Sequence, residues 1–428
     1  QSAVEAKEGL DVTDGGRVLD TITIQALLGR YTNLCGMTGT ATAASEQLRQ
    51  FYGLGVAVID PHVPCIRDDE ADRIFSTADD RRRGIIEHIQ QLQQAGRPVL
   101  VGTHNVAESE DIQDALQAIG VDCVVLNAKN HEKEARIIAD AGLPGRVTVS
   151  TQMAGRGTDI KLGGAHEQYR DDVVTAGGLA VVGFGRHRSA RLDDQLRGRA
   201  GRQGDPGSSV IFVSLEDDVI AVGGAGESIN AIPDNNGQLT QKKVYSFVDH
   251  CQRVTEGQML QIHANTWKYN KLINDQRVII DERRSDILDS DVALKELQRR
   301  AHRDLTVPRD VQVQAARDVE LFHLDEHWAR HLEYLDDIRE SIHLRALARE
   351  NPVDEFHRMS IAEFKNLATG AVDDAVETWR HITIDNNGAH LGERGLRRPS
   401  STWTYMVNDN TLSGNNGSVV GSVVNLFR

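Results

Sequence analysis

The chain is 428 residues long, carries a formal charge of −15 at pH 7, and is 26% charged but only 5% aromatic. That length accommodates about two or three domains, each with its own core. The acid excess argues against broad electrostatic binding of nucleic acid, which needs a basic face to displace counterions. No apolar run approaches the ~20 residues that a membrane span requires. Cys35, Cys65, Cys123 and Cys251 are scattered without a CxxC pair, so neither a zinc knuckle nor a disulfide framework is signalled, and they read as reduced core thiols.

Residues 1–9 lack both an initiator Met and a charged-then-apolar leader, and read as the interior of a longer protein. Residues 1–16 read as a connecting segment. Over 17–220, short apolar runs at 99–103, 123–126, 147–151, 179–183 and 210–213 alternate with helical stretches such as 79–95 and 107–119. Near-continuous, β-branched apolarity is the mark of strands buried on both faces. Strand and helix in alternation predict a parallel sheet covered by helices.

The Gly-, Asn- and Ala-rich stretch from 221 to 240 reads as a linker. Helix formers dominate 241–288, which as one helix would be ~70 Å long at ~1.5 Å per residue. A break near Gly257 is the alternative, given the cost of glycine inside a helix. Leu321, Leu324, Trp328, Leu332, Leu335, Ile338 and Ile342 step by three or four along one helix face. Pro352 ends that pattern and Phe356, Met359, Phe364 and Leu367 restart it, which predicts a helical hairpin over 317–380 after a helical unit at 241–316. Beyond 381 the chain turns Asn- and Gly-rich and reads as a mobile tail to 428. The fold class is thus α/β followed by all-α.

Two motifs carry chemistry. From Gln195 to Arg202 the pattern QxxGRxGR, if helical, places Gln195, Arg199 and Arg202 on one face, with Arg197 pointing elsewhere. Two guanidiniums presented together suit the charge that develops on a transferred phosphoryl group. Gly198 and Gly201 are the residues expected where another surface approaches the backbone closely. The second motif, Met153 to Asp159, leaves a predicted strand as a Gly-rich turn, where ligands bind in parallel sheets. There Arg156 and Gly157 would touch a nucleotide and Asp159 would accept from a ribose hydroxyl. No G-x-x-x-x-G-K-[ST] phosphate loop occurs in the 428 residues. The acidic run Asp69-Glu70-Ala71-Asp72 spells the box that binds Mg2+ in many motor ATPases, but prolines and charges precede it instead of an apolar strand, and it reads as coincidence.

These motifs, with the stretches at 3–9, 36–41, 98–103, 126–129, 274–277 and 342–345, resemble the SecA family of preprotein translocase ATPases. The resemblance implies a RecA-like second nucleotide-binding domain, a long helical scaffold and a two-helix finger, with the phosphate-gripping first lobe and the preprotein cross-linking domain lying upstream of this chain. It implies that Arg199 and Arg202 sense the γ-phosphate, that Asp159, Gly157, Arg156 and Gln195 contact nucleotide, and that the finger tip near Arg345 and Leu347 pushes substrate. Leu347 stands where the family usually has Tyr. ATP and Mg2+ follow as cofactors, the metal held mainly by the first lobe. The partners that follow are the missing N-terminal part, preproteins, the SecYEG channel and an anionic membrane surface, with no nucleic acid. The implied location is the cytoplasmic face of the cell membrane, and this chain alone is expected to be inactive. The short path from scaffold to finger, the absence of a Cys/His zinc tail and the segment from Trp403 to Asn410 resemble the accessory branch of mycobacteria and related actinobacteria. A nucleic-acid helicase shares the RecA-like motifs; the acid excess and the hairpin argue against it.

Overall fold

Runs of β-branched residues with no polar face can satisfy their backbone only in the middle of a covered sheet. In the computed structural model they do so. It describes residues 20–126, 134–151, 158–227, 229–342 and 351–394, with Lys7 and Leu396. Helices Ile24–Leu28 (α1) and Ser45–Tyr52 (α2) precede strands Asp68–Asp69 (β1) and Arg73–Phe75 (β2). Then follow Ala78–Gln94 (α3), Val99–Thr103 (β3), Val106–Ala118 (α4), Cys123–Leu126 (β4), Glu134–Asp140 (α5) and Val147–Thr151 (β5). Arg170–Thr175 (α6), Leu179–Phe184 (β6), Ala190–Arg197 (α7), Gly207–Ser214 (β7), Asp218–Gly223 (α8) and Gln238–Leu239 (β8) complete the lobe.

The sheet runs β4-β5-β3-β6-β7-β2-β8, with β1 also paired to β7. Its neighbours are parallel except β8, which lies antiparallel to β2. Ile85, Ile89, Ile112 and Leu116 of α3 and α4 bury completely against Val99, Val101, Val147, Val149 and Val182. The two helices start where a polar side chain takes an orphan amide: Thr77 accepts from Asp80 N and Asn105 from Glu108 N.

Three expectations need correcting here. The stretch read as a linker, 221–240, supplies the end of α8 and the edge strand β8, whose Leu239 is buried. Cys123 and Cys251 are core thiols, burial pushing Cys123 up to about 11, but Cys35 and Cys65 are exposed. The segment after 381 opens with a hairpin, Ile384–Asp385 (β9) against Gly388–Ala389 (β10), whose Ile384 and Ala389 pack on the helical core; residues 401–428 lie outside the described set.

The helical part begins with a single helix of 48 residues, Lys242–Asp289 (α9), which Gly257 does not break. Val292–Ala301 (α10), Arg309–Ser341 (α11) and Pro352–His381 (α12) follow. Asn351 is extended and caps α12 through Val353 N, with Pro352 at the first helical position, as the Pro rule requires. Helices α11 and α12 run antiparallel: His323 Nε2 lies 2.7 Å from Thr378 Oγ1 and His327 Nε2 lies 2.8 Å from Asp374 Oδ2. The chain divides into two compact units inside α9: residues 22–272, and residues 1–21 with 273–428.

The second unit buries a polar group that titrates. His331 Nε2 lies 2.9 Å from Gln276 Oε1, and Gln276 Nε2 donates to Ser360 Oγ at 2.9 Å. Burial lowers the His331 pKa from 6.5 to about 4. The folded form therefore holds the imidazole neutral while the unfolded chain protonates first, so stability is full above pH 6.5 and falls as pH drops towards 4. His331→Gln, which keeps a donor for Gln276 but does not titrate, should flatten the loss of urea stability across that window. Equal slopes for the two proteins would show that His331 does not carry the effect.

Candidate nucleotide site

A cavity of about 220 Å3 opens at the carboxyl ends of β3, β4 and β5, lined there by Thr103, Leu126, Ser150 and Thr151. That end of a parallel sheet is where α/β folds bind ligands. Gln195, Arg199 and Arg202 all line it, as does His187. Leu196 anchors their segment: its Cδ atoms sit where a side chain on Gly102 of β3 would have to go, at 2.6 Å from an ideal Cβ.

The structure brings the three predicted residues together by a route other than the expected one. They do not share a helix face. Helix α7 ends at Arg197 with Gly198 as its C-cap, and Gly201 turns left-handed at φ 68°. Arg199 and Arg202 therefore project from a tight turn beyond the helix. A side chain on Gly201 would also strike Arg67, whose Cβ lies 2.5 Å from the ideal position, whereas Gly198 faces no comparable approach. Arg202 Nε donates to Gly198 O at 3.0 Å and its Nη1 pairs with Asp159 Oδ1 at 2.8 Å. Arg199 Nη1 donates to Thr158 O at 3.3 Å. Asp159, half-exposed, thus engages Arg202 through Oδ1. Arg156, Gly157, Arg345 and Leu347 lie outside the described residues.

Behind the turn, the acidic run set aside as coincidence has a structural task. Asp72 is buried and bridges two guanidiniums, Arg186 Nε at 2.5 Å and Arg197 Nη2 at 3.1 Å. Arg197 Nη1 also donates to Ser209 Oγ at 3.1 Å. Burial disfavours the charge on Arg186, but the Asp72 carboxylate, with Asp249 and Asp193, offsets this and raises its pKa. Asp69 pairs with Arg67 at 2.7 Å, whose Nη1 donates to Ala200 O at 3.1 Å inside the arginine turn. The hydrogen bond from Arg67 lowers the Asp69 pKa. Sequence reading missed this clamp because its members come from four separate segments, with no spacing signal.

It also missed the polar junction beside His187. His187 Nδ1 lies 2.7 Å from Asp193 Oδ1, which also accepts from His187 N at 2.9 Å. Gln252 of α9 donates through Nε2 to Asp193 Oδ2 at 2.6 Å and to His187 O at 2.8 Å.

Comparison with known proteins gives the family. Residues 64–171 and 165–236 match the SecA P-loop domain, 293–383 the SecA Wing and Scaffold domain, and 1–49 the SecA DEAD-like domain. A relative from Corynebacterium jeikeium, named protein translocase subunit SecA 2, is 64% identical over 100% of this chain and 56% of its own length. Others of that name are 62% identical in Corynebacterium efficiens and 54% in Mycobacterium tuberculosis, again over 100% of this chain and over 57% and 54% of theirs. The chain belongs to the SecA family. Relatives matched along its whole length are SecA 2 proteins, of which it spans about half the length. Among solved structures, the E. coli DEAD-box protein SrmB, crystallised with a regulator of ribonuclease activity, shows 19% identity over 42% of this chain and 98% of its own. Its TM-score of 0.31 is too low to bear on the fold.

The Asp72 clamp gives a stability test. Asp72→Ala takes the buried carboxylate from two part-buried guanidiniums, leaving Arg186 only the half-exposed Asp249, and should destabilise the sheet unit by up to ~3–5 kcal/mol, read as a shift of its urea midpoint. A loss within about 0.5 kcal/mol, as for an ordinary surface change, would show that Asp72 anchors nothing.

Proposed function

We propose that this chain supplies the arginine-bearing lobe and the helical machinery of an ATP-driven protein translocase. One observation carries the reading: in a chain of the SecA family, Gln195, Arg199 and Arg202 line one cavity at the carboxyl end of a parallel sheet. The proposed occupant is ATP, its phosphates gripped by a first lobe whose phosphate loop is not among these 428 residues. The donor set fits an anion: two guanidiniums, a Gln amide and the hydroxyls of Thr103, Ser150 and Thr151. It does not fit a divalent metal, since no carboxylate stands among the described lining residues; Mg2+ would take its ligands from the first lobe.

The present pairing of Arg202 suits a residue that must change partners. Its side chain is 39% exposed and that of Asp159 51% exposed, so their attraction is worth only ~0–1 kcal/mol. A triphosphate offers more charge and a bidentate geometry, and would draw Arg202 away at small cost. Asp159 would then be released towards the nucleotide, with Arg156 and Gly157 beside it. Arg199 and Arg202 would stabilise charge on the transferred phosphoryl group as lobes close.

In the same reading α9 is the scaffold and α11 with α12 the finger, whose tip bears Arg345 and Leu347 and moves preprotein through SecYEG. The name shared by the relatives, protein translocase subunit SecA 2, supports this. The proposed location, which follows from the resemblance to translocase subunits, is peripheral, on the anionic cytoplasmic face of the membrane; no described helix is long and apolar enough to cross a membrane. No zinc is proposed. The net charge of −15 supports a polypeptide substrate over nucleic acid.

In the full-length protein, Arg202→Ala should leave ATP affinity nearly intact and lower turnover by ~10³ or more. Turnover at the wild-type rate would remove Arg202 from the mechanism. The 428-residue chain alone should hydrolyse ATP no faster than buffer, measured by phosphate release; sustained turnover would show that a complete phosphate site lies within it.

A further inference from the structure

One buried nitrogen beside the cavity has no partner. His187 is 6% exposed and lines the cavity, yet its Nε2 makes no hydrogen bond among the described residues. An orphaned polar atom at such a depth is costly unless something else engages it. The chemistry of that missing partner follows from the other ring nitrogen. In the tautomer that donates Nδ1–H to Asp193 Oδ1, 2.7 Å away, the ring proton lies on Nδ1. That tautomer leaves a lone pair at Nε2, and the ligand atom that matches it is a donor, such as a sugar hydroxyl or a water held by the ligand.

The far side of the same dyad is joined to helix α9. Asp193 Oδ2 accepts from Gln252 Nε2 at 2.6 Å, and Gln252 Oε1 accepts from Arg186 Nη1 at 2.8 Å. Arg186 in turn meets Asp72, which holds Arg197, next to the arginine turn. Gln252 is 4% exposed, and both ends of its amide are committed. Its Nε2 bond to Asp193 touches the dyad whose His187 lines the cavity, and its Oε1 bond touches the clamp behind the arginines. Ser189 Oγ adds a parallel tie to Glu256, one helical turn further along α9, at 2.7 Å.

We propose that His187 is a ligand-contacting residue of the cavity and that Gln252 is a positioning residue coupling its occupancy to helix α9. Occupancy gives Nε2 its partner, shifts the ring and with it Asp193, and Gln252 passes the shift to the 244–260 stretch of α9. This rests on the reading of the cavity as a nucleotide site.

The test uses the full-length protein and a fluorescent ADP. Asn can reproduce the Nδ1 side of the imidazole but not its Nε2, so His187→Asn should keep the Asp193 contact and weaken ADP binding about tenfold, the worth of one hydrogen bond. Gln252→Met should bind ADP within about threefold of wild type. In wild type, ADP should slow hydrogen exchange of amides 244–260; in Gln252→Met that ADP-dependent change should vanish while protection without ADP stays above that of the unfolded chain. A merely structural Gln252 would lower protection equally with and without ADP. Wild-type ADP affinity in His187→Asn would overturn the contact, and an ADP-dependent change retained in Gln252→Met, or lacking in wild type that binds ADP, would overturn the coupling. Failure of the nucleotide reading itself has a different signature: wild type would bind no ADP and Arg202→Ala would change nothing.

Discussion

The site hangs on a carboxylate caught between two guanidiniums. Asp72 sits on the turn between β1 and β2, Arg186 follows β6, and Arg197 closes α7, so one buried anion ties three separate parts of the sheet lobe together. Taking these charges out of water costs several kcal/mol per ion, recovered only when geometry is good and the remaining donors are satisfied. Here they are: Arg197 also reaches Ser209, and Arg186 also reaches Gln252 and Asp249. Such an arrangement fixes a position more than it adds stability. What it fixes is the end of α7, and thereby the start of the turn that carries Arg199 and Arg202.

The contrast between the clamp and the turn is physical. Arg197 is mostly buried and held by charge on one side and a hydroxyl on the other. Arg202 is more exposed and held by the Gly198 carbonyl and by one carboxylate in water, the latter an interaction of small net worth. Two arginines five residues apart in one motif thus differ in how firmly they are held, because one is buried against the sheet and the other lines the cavity. In the proposed exchange of Asp159 for phosphate Arg202 gives up little, and no comparable exchange is open to Arg197.

Much of the fold was legible. The runs at 99–103, 123–126, 147–151, 179–183 and 210–213 all lie in strands, since unbroken β-branched apolarity has few other stable homes. The 48-residue helix followed from its density of helix formers, and the hairpin after it from periodicity and from Pro352. The helical reading of 195–202 failed because glycine is ambiguous in sequence. Gly198 and Gly201 could have been close-approach positions within a helix, but backbone direction made one a helix end and the other a left-handed turn. The stretch at 221–240 looked like a linker because edge strands are short and tolerate polar neighbours.

By itself the sequence determined the residue types at the site, the alternation that makes a parallel sheet, and the absence of a phosphate loop from these 428 residues. These are local properties, set by periodicity and by motifs a few residues long. Only the tertiary structure decided that Asp72 is a clamp, that Asp159 engages Arg202, and that Gln252 meets His187 and Asp193. Each of those contacts joins residues from separate elements, and the burial that gives them their strength exists only once the sheet and its helices have packed.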